Sequence, residues 1–297
     1  MCRALVILNP AAGRGAGARR ARDVVAALSG AGFTCTLRTT ERPGDERVLA
    51  RDASREGWET ILVAGGDGTV HGAANGLVDV GNPRTALGVV PVGTGNDFVK
   101  VTGIPTSLRA TALGLAHARI RRFDVGVVQG ERFINGCGVG FGPAVLTAMQ
   151  DMPRLRGFSL YAAAAWRTFS HYVPVVTTVA WADQSITAPM TMVEIAIGTT
   201  AGGGFRLTPG ARPDDGLLDI CVIRAISTLQ FLCYVPRVII GRHGHLPPVT
   251  LFQTDQVRVS VPGMGSLMHL DGELRSVHTD TLEVGLEAGR LPVLCAA

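Results

Sequence analysis

A short glycine-rich stretch, Gly65-Gly66-Asp67-Gly68-Thr69, places one carboxylate among residues with small side chains or none. Such a loop leaves backbone amides open, so it can cradle phosphate groups while Asp67 binds magnesium directly or through water. The competing interpretation is a tight strand-to-helix turn in which Asp67 caps the helix. Three glycines around a single aspartate favour the phosphate site.

Two further turns repeat this pattern. Asn9-Pro10-Ala11-Ala12-Gly13 follows the first apolar run, and a glycine before a helix lets backbone amides approach an anion. By itself this turn fits a purely geometric role equally well. Gly93-Thr94-Gly95-Asn96-Asp97-Phe98 adds a hydroxyl, an amide and a second carboxylate. Turns of this kind at neighbouring strand ends predict a shared phosphate site.

Acidic residues later in the chain suggest a general base and a metal site. Asp271 and Glu273 lie two apart, which on an extended strand places both side chains on one face. Neighbouring carboxylates raise each other's proton affinity, which suits a base working near neutral pH. The alternative is a strand-end turn with two solvated acids, and Asp67 is the other candidate base. The turn Asp214-Asp215-Gly216-Leu217 can direct oxygen ligands toward a cation, or it is a plain turn with a solvated aspartate.

The elements that must position these residues fall into two groups. Over residues 1–125, short apolar runs alternate with helical stretches, which predicts an α/β domain with a parallel sheet. Ligands of such sheets lie at the carboxyl ends of the strands, where all three turns fall. Over residues 126–297, many short strands predict an antiparallel β-sandwich or open barrel. Helices are expected at 18–30, 45–56, 153–172 and 230–240, and the last strand, 291–295, could belong to either domain.

Composition narrows the class of protein. Lys100 is the only lysine and lies outside any Walker-type loop. The six cysteines form no C-x-x-C pair, which fits a reducing compartment. No apolar run approaches the roughly 18 residues that span a bilayer, so a cytoplasmic location is expected. The net charge of +4 neither demands nor excludes nucleic acid, and no nucleic-acid partner is predicted.

The motifs N-P-A-A-G, G-G-D-G-T, G-T-G-N-D-F, P-D-D-G-L-L-D and L-D-G-E occur in the order typical of one family. In this order they resemble the diacylglycerol-kinase catalytic family, in its bacterial soluble lipid kinase branch. G-G-D-G-T alone is shared with NAD kinases and phosphofructokinases. G-T-x-N-D-F together with L-D-G-E narrows the resemblance to the lipid kinases.

The resemblance implies an ATP-dependent lipid kinase that phosphorylates the hydroxyl of diacylglycerol or a related lipid, with ATP between the two domains. The ATP-binding residues implied are Asn9, Pro10, Gly13, Thr40, Gly65, Gly66, Asp67, Gly68, Thr69, Gly93, Thr94 and Asn96. The Mg²⁺ ligands implied are an acidic network of Asp67, Asp97 and Asp124, and a separate site of the Asp215 carboxylate with the carbonyl oxygens of Arg212 and Leu217. Glu273 and Asp271 match the catalytic pair, with Glu273 assigned as the base.

Two rival functions remain open. His71-Gly72 replaces the Asn-Glu that commonly follows G-G-D-G-T, which speaks against an NAD kinase-like enzyme but puts the nucleotide's orientation in doubt. A non-catalytic lipid- or nucleotide-binding regulator would not need to keep all of these acids. The expected partner is a lipid at the membrane surface, met peripherally through the helix at 153–172 with Phe158, Trp166 and Phe169. The alternative is that this helix packs on the sandwich. A homodimer is one option for assembly.

Overall fold

The computed structural model describes residues 2–152, 157–262 and 267–297, except the side chains of residues 157 and 158. It contains two compact units. The first comprises Met1–Asp124 together with Ala288–Ala297, and the second comprises Val125–Glu287. None of the described helices is both long enough and apolar enough to cross a membrane.

The first unit is an α/β domain, as predicted. Its parallel sheet has the order β2-β1-β3-β4, and Val293 of the last strand pairs with Leu87 of β4. The strands are β1 (Cys2–Leu8), β2 (Phe33–Thr39), β3 (Thr60–Gly65) and β4 (Ala86–Pro91). The helices are α1 (Ala12–Gly30), α2 (Asp45–Arg55), α3 (Asp67–Val80), α4 (Asp97–Thr102) and α5 (Leu108–Ala116).

Strands β3 and β4 are buried along their whole length, as expected for a parallel sheet covered on both faces. Gly13, Arg14 and Gly15 have left-handed backbone angles, so the regular part of α1 begins after Gly15. The sequence placed the start of this helix near residue 18. The assigned helix begins earlier, at Ala12, because it includes the irregular turn at residues 13–15.

The second unit is an antiparallel β-sandwich, and its described residues include three helices. Strand β5 (Arg119–Val128) leads into it from the first unit, and β15 (Thr281–Cys295) leads back. Its remaining strands are β6 (Glu131–Phe133), β7 (Gly136–Gly140), β8 (Val175–Trp181), β9 (Gln184–Ala196), β10 (Leu218–Arg224), β11 (Val249–Thr254), β12 (Val257–Ser260), β13 (Leu267–Leu270) and β14 (Glu273–Ser276). Its helices are α6 (Phe141–Gln150), α7 (Gly157–Phe169) and α8 (Thr228–Ile239).

Alternate residues of the strands in this unit face two different apolar clusters. Along β9, Val193 and Ile195 belong to a cluster built almost entirely from strands, whereas Met192 packs with the three helices. The sequence did not predict α6, because Gly142 and Pro143 in its first turn resemble a loop. Proline lacks an amide hydrogen, and it is tolerated there because first-turn amides have no partner within the helix.

The predicted lipid entrance on α7 is only partly described. Phe169 is buried and stacks on Phe231 of α8 with ring centroids 4.1 Å apart, while Trp166 is 47% exposed. These two rings therefore do not share one face. The side chain of Phe158 lies outside the described residues.

Candidate active site

The three glycine-rich turns of the first unit meet at the carboxyl ends of β1, β3 and β4. The Asn9 side-chain amide donates a hydrogen bond to the Thr69 hydroxyl over 2.9 Å, which joins the first turn to the second. Gly93 packs directly on Gly66, since a Cβ atom added to Gly93 would lie 2.4 Å from the Gly66 Cα. The structure thus brings the predicted turns together, through side chains between the first and second turns and through backbone between the second and third.

Asp67 is held where the second and third turns meet. Its Oδ1 accepts hydrogen bonds from the backbone amides of Asp97 over 2.8 Å and Phe98 over 3.4 Å. Burial and the charge of Asp97 raise the pKa of Asp67 to about 6, against the opposing effect of these amides. The carboxylate of Asp97 is 2.6 Å from the Lys100 ammonium. Asp67 therefore titrates just below neutral pH beside a second carboxylate.

The other predicted nucleotide residues lie around these turns. Asn9 Oδ1 accepts a hydrogen bond from the amide of Ala11, which holds the first turn. Asn96 has a left-handed backbone, with φ of 49°, and its side-chain amide bonds the Gly93 carbonyl. Buried Thr40 follows β2 and donates its backbone amide to the Leu8 carbonyl. Pro10, Gly13, Gly65, Gly68 and Thr94 belong to the same three turns.

The acidic residues of the first unit differ in their surroundings. Asp124 is buried and accepts a hydrogen bond from the amide of Gly289 over 2.7 Å, which ties β5 to the end of the chain. Within residues 2–152, 157–262 and 267–297, no three His, Cys, Asp or Glu side chains cluster closely enough to hold one ion. Asp67, Asp97 and Asp124 therefore form no three-carboxylate cage. The close pair Asp67 and Asp97 still fits Mg²⁺, which commonly uses one or two carboxylates with phosphates and waters.

The predicted metal turn of the second unit lies beside Asp219, an acid of β10 to which the sequence analysis gave no role. Asp215 accepts a hydrogen bond from the Leu217 amide, and Gly216 adopts a φ of 75°. The Gln253 side chain lies 3.3 Å from an oxygen of Asp215 and 3.2 Å from an oxygen of Asp219. Burial raises the pKa of Asp219 to about 6, Gln253 opposes this rise, and the charge of Asp215 adds to it. The two nearby carboxylates of Asp215 and Asp219 fit a cation site, for which Arg212 and Leu217 were predicted to add carbonyl oxygens.

The prediction that Asp271 and Glu273 share one face of an extended strand is wrong. Strand β13 ends at Leu270 and β14 begins at Glu273, and Asp271 and Gly272 form the turn between them with φ of 48° and 85°. The buried Asp271 carboxylate accepts hydrogen bonds from the amides of Ile134, Asn135 and Gly136. Asp271 thus holds the start of β7 against this turn.

Glu273 has the opposite environment. Its side chain is 46% exposed and lies 2.9 Å from the Arg275 guanidinium. Arg275 also contacts Glu131 over 3.0 Å, so one cation bridges two exposed carboxylates. Of the predicted catalytic pair, Glu273 is thus the exposed acid and Asp271 the buried one.

A buried ion pair, Glu194 with His269, was not predicted. The two side chains approach to 2.9 Å, and both are almost fully buried. Burial lowers the pKa of His269, but Glu194 and Asp271 outweigh it and raise that pKa above its ordinary value. The residues lie on different strands and far apart in the chain, so no local pattern reveals them. An acid within the apolar run Met190–Ala196 was the available signal.

The second unit also contains an apolar cavity of about 470 Å³. It lies among α6, β7, β8 and β9 and includes Tyr172 and Thr177. Its other lining residues are Val139, Gly140, Pro143, Ala144, Thr147, Val175, Met190, Met192, Val193, Val261 and Leu267.

Comparisons with known proteins agree with this architecture. Residues 3–128 match the diacylglycerol kinase catalytic domain, and residues 136–294 match the YegS C-terminal NAD kinase beta sandwich-like domain. A Pseudomonas aeruginosa protein named probable lipid kinase YegS-like is 33% identical over 291 residues, covering 93% of each chain. A Bacillus subtilis diacylglycerol kinase is 27% identical over 278 residues, covering 92% of this chain and 90% of that protein.

A solved structure shares the fold. The crystal structure of a diacylglycerol kinase from Bacillus anthracis superposes with a TM-score of 0.77 at 22% identity, covering 99% of this chain and 97% of that one. The family matches cover most of the chain, and the relatives extend across both units. This chain belongs to the diacylglycerol kinase-like, YegS-like family of lipid kinases.

Proposed function

We propose that this lipid kinase transfers the γ-phosphoryl group of Mg·ATP to the hydroxyl of diacylglycerol or a closely related lipid. The observation that carries the lipid assignment is the apolar cavity of the sandwich unit. Its volume of about 470 Å³ falls within the range of roughly 300–1,000 Å³ typical of small-molecule sites. Aliphatic and methionine side chains dominate its lining, which suits part of an acyl chain better than a polar acceptor.

The three turns of the first unit support the nucleotide assignment. Backbone amides and the N-terminus of α3 favour phosphate groups. The pair Asp67 and Asp97 would hold Mg²⁺, which neutralises phosphate charge when it is bound. Asn9 and Thr69 hold the first and second turns together through their 2.9 Å hydrogen bond, so the phosphate-binding amides keep a fixed arrangement.

Glu273 is the proposed general base. A lipid hydroxyl is a weak nucleophile, so its proton must leave as the phosphoryl group arrives. The bond from the lipid oxygen to the γ-phosphorus forms, the bond from that phosphorus to the β–γ bridging oxygen breaks, and the proton passes to a Glu273 carboxylate oxygen. Asp271 serves as a positioning residue, since its carboxylate is occupied by three backbone amides.

Radiolabelled ATP with a panel of hydroxyl lipids, followed by thin-layer separation, tests the proposal. The expected product is a labelled lipid phosphate, formed from diacylglycerol or from a sphingoid base, monoacylglycerol or phosphatidylglycerol. ATP consumption that does not depend on any added lipid would contradict the kinase assignment. Lipid and ATP binding without any transfer would instead identify a non-catalytic regulator.

A small-molecule kinase is the second candidate, because the matched C-terminal domain is described as NAD kinase beta sandwich-like. That description concerns the sandwich fold, and the apolar cavity favours a lipid. NAD in the same labelled assay separates the two functions. Labelled NADP with no labelled lipid would overturn the lipid proposal.

A further inference from the structure

Helix α8 is apolar on two opposite faces. Its inward face carries Phe231, Tyr234 and Val238, which pack in the apolar cluster beneath the helices. Leu229, Leu232, Pro236 and Ile240 follow one another at spacings of three or four residues, so they form a single stripe. A helix at the surface of a soluble unit needs only one apolar face, and the second face requires another explanation.

The stripe points to solvent. The exposed fractions are 71% for Leu229, 50% for Leu232 and 56% for Ile240, and Pro236 is also exposed. Single exposed leucines are ordinary, but contiguous apolar residues along one helix face mark an interaction surface. Ser227 caps the helix through a reciprocal pair of hydrogen bonds with Gln230, so the stripe has a defined helical start.

The neighbouring helix α7 also carries an exposed apolar ring. The Phe169–Phe231 stack joins the end of α7 to the start of α8, and α7 carries exposed Trp166. Tryptophan favours the boundary between water and hydrocarbon, because its ring is apolar while its N–H still needs a partner. At the cavity, the lining residues Val175 and Leu267 are themselves 43% and 39% exposed. Apolar surface thus lies both along the helices and at the cavity.

Charge indicates what covers this surface. The sequence between Asp219 and Asp255 contains no acidic residue but includes Arg224, Arg237 and Arg242. Between Asp151 and Asp183 it again contains no acid, and exposed Arg167 follows Trp166. Anionic lipid headgroups attract such arginines, whereas a twofold contact between copies would place like charges against each other.

We propose that the docking face, defined as Leu229, Leu232 and Pro236 of α8, Ile240 directly after this helix and Trp166 of α7, binds the surface of an anionic lipid membrane. The apolar stripe enters the headgroup boundary, and Arg237 contacts lipid phosphates beside it. This arrangement matches an interfacial amphipathic helix, in which apolar burial and attraction to anionic lipid act together. The inference rests on the proposed function, since docking would bring the kinase to an acceptor lipid that resides in the membrane.

Vesicle sedimentation of the full chain tests the docking face directly. The vesicles contain phosphatidylcholine alone or phosphatidylcholine with phosphatidylglycerol. The expected result is preferential, salt-sensitive binding to the anionic vesicles. The double variant Leu229→Ser, Leu232→Ser should lower that binding at least tenfold, and Arg237→Gln should lower it about fivefold.

The matched control is Leu37→Ser, Leu113→Ser, which replaces two exposed leucines of the first unit. Its vesicle binding should equal that of the wild type, and thermal melts should show every variant folded. Unchanged binding of the α8 double variant would overturn the proposal. Sedimentation equilibrium showing a wild-type dimer that the α8 variant dissolves would assign the face to a second copy instead.

Activity on a short-chain, water-dispersed diacylglycerol separates this inference from the proposed function. The α8 variants should keep that activity while losing activity on vesicle-embedded substrate. Vesicle binding by a chain that phosphorylates no lipid would leave the docking face supported and the kinase assignment refuted. Lipid phosphorylation together with normal vesicle binding by the α8 variants would support the kinase assignment and refute the docking face.

Discussion

Asp271 and Glu273 are close in sequence, yet one is surrounded by backbone amides and the other by solvent. Replacing Glu273 by glutamine removes the proposed proton acceptor with almost no change in shape. We expect Glu273→Gln to bind Mg·ATP normally and to lose turnover by about 10²–10⁴-fold, the usual contribution of a general base. Turnover with labelled ATP and ATP binding by calorimetry measure the two effects separately.

Glu131→Gln is the matched control for this variant. It removes the other carboxylate that contacts Arg275 but no proposed base, so turnover should fall less than threefold. Near-normal turnover of Glu273→Gln, combined with an Asp67→Asn variant that binds ATP and is inactive, would assign the base to Asp67. In that case our assignment of Glu273 is wrong.

Asp67 offers a second prediction at the residue scale. Its pKa of about 6 reflects burial and the charge of Asp97, so the residue becomes ionised as the pH rises through about 6. Asp97→Asn removes the like charge and should lower the pKa of Asp67. Carbon-detected NMR titration of labelled aspartates without metal or nucleotide measures this change. The control is Asp79→Asn at the far end of α3, which should leave the Asp67 titration unchanged.

At the scale of elements, three neighbouring strands carry the buried ion pair. Gly138 of β7 pairs with His269 of β13 on one side and with Glu194 of β9 on the other. A Cβ atom at Gly138 would lie 2.6 Å from a Glu194 oxygen and 2.8 Å from His269 Nε2. The absence of a side chain on the middle strand therefore lets the flanking side chains meet above it.

This pair should make stability depend on pH. Because the pKa of folded His269 lies above that of the unfolded chain, its stabilising effect is complete below about pH 6.5. The effect is lost as the pH rises through the folded pKa. Glu194→Gln should lower the free energy of unfolding by about 1–3 kcal/mol below pH 6.5. Above pH 6.5, the free energy of unfolding of this variant should change less with pH than that of the wild type. Urea unfolding from pH 5.5 to 9 tests this, and a variant with an unaltered pH profile would exclude the pair as its source.

The turn before β10 allows a test of the second metal site. Mg²⁺ that binds only the folded state at about 100 times its Kd stabilises that state by ~2.7 kcal/mol. Without nucleotide, we expect the melting temperature of the wild type to rise with Mg²⁺ and that of Asp215→Asn to rise much less. Asp214→Asn replaces the adjacent acid and should respond like the wild type. Equal magnesium responses in all three proteins would argue against a site at Asp215.

At the scale of the whole molecule, the first unit is built from both ends of the chain. Leu291, Val293 and Cys295 are buried, and Val293 pairs with β4. Deleting Ala288–Ala297 keeps all three glycine-rich turns but exposes the edge of β4 and part of the core. We expect the truncated protein to lose ATP binding and to melt at a lower temperature. Deletion of Ala297 alone is the control, and intact ATP binding by the longer truncation would contradict this view.

The sequence by itself determined the α/β and β-sandwich classes and the positions of the three glycine-rich turns. These features are local: strand and helix periodicities repeat within a few residues, and the carboxyl ends of parallel strands meet at one edge. The contact between Gly66 and Gly93 follows from that rule, although the rule does not give the distance between them. The motif order also identified the lipid kinase family.

Only the tertiary structure decided what depends on distant contacts or on one backbone torsion. A spacing of two residues fits both a strand and a turn, and the positive φ of Asp271 selects the turn. Glu194 meets His269 only because β9 and β13 both flank β7. The exposure of the α8 stripe likewise depends on which face the rest of the fold covers, since an apolar pattern on both faces does not show which one is buried.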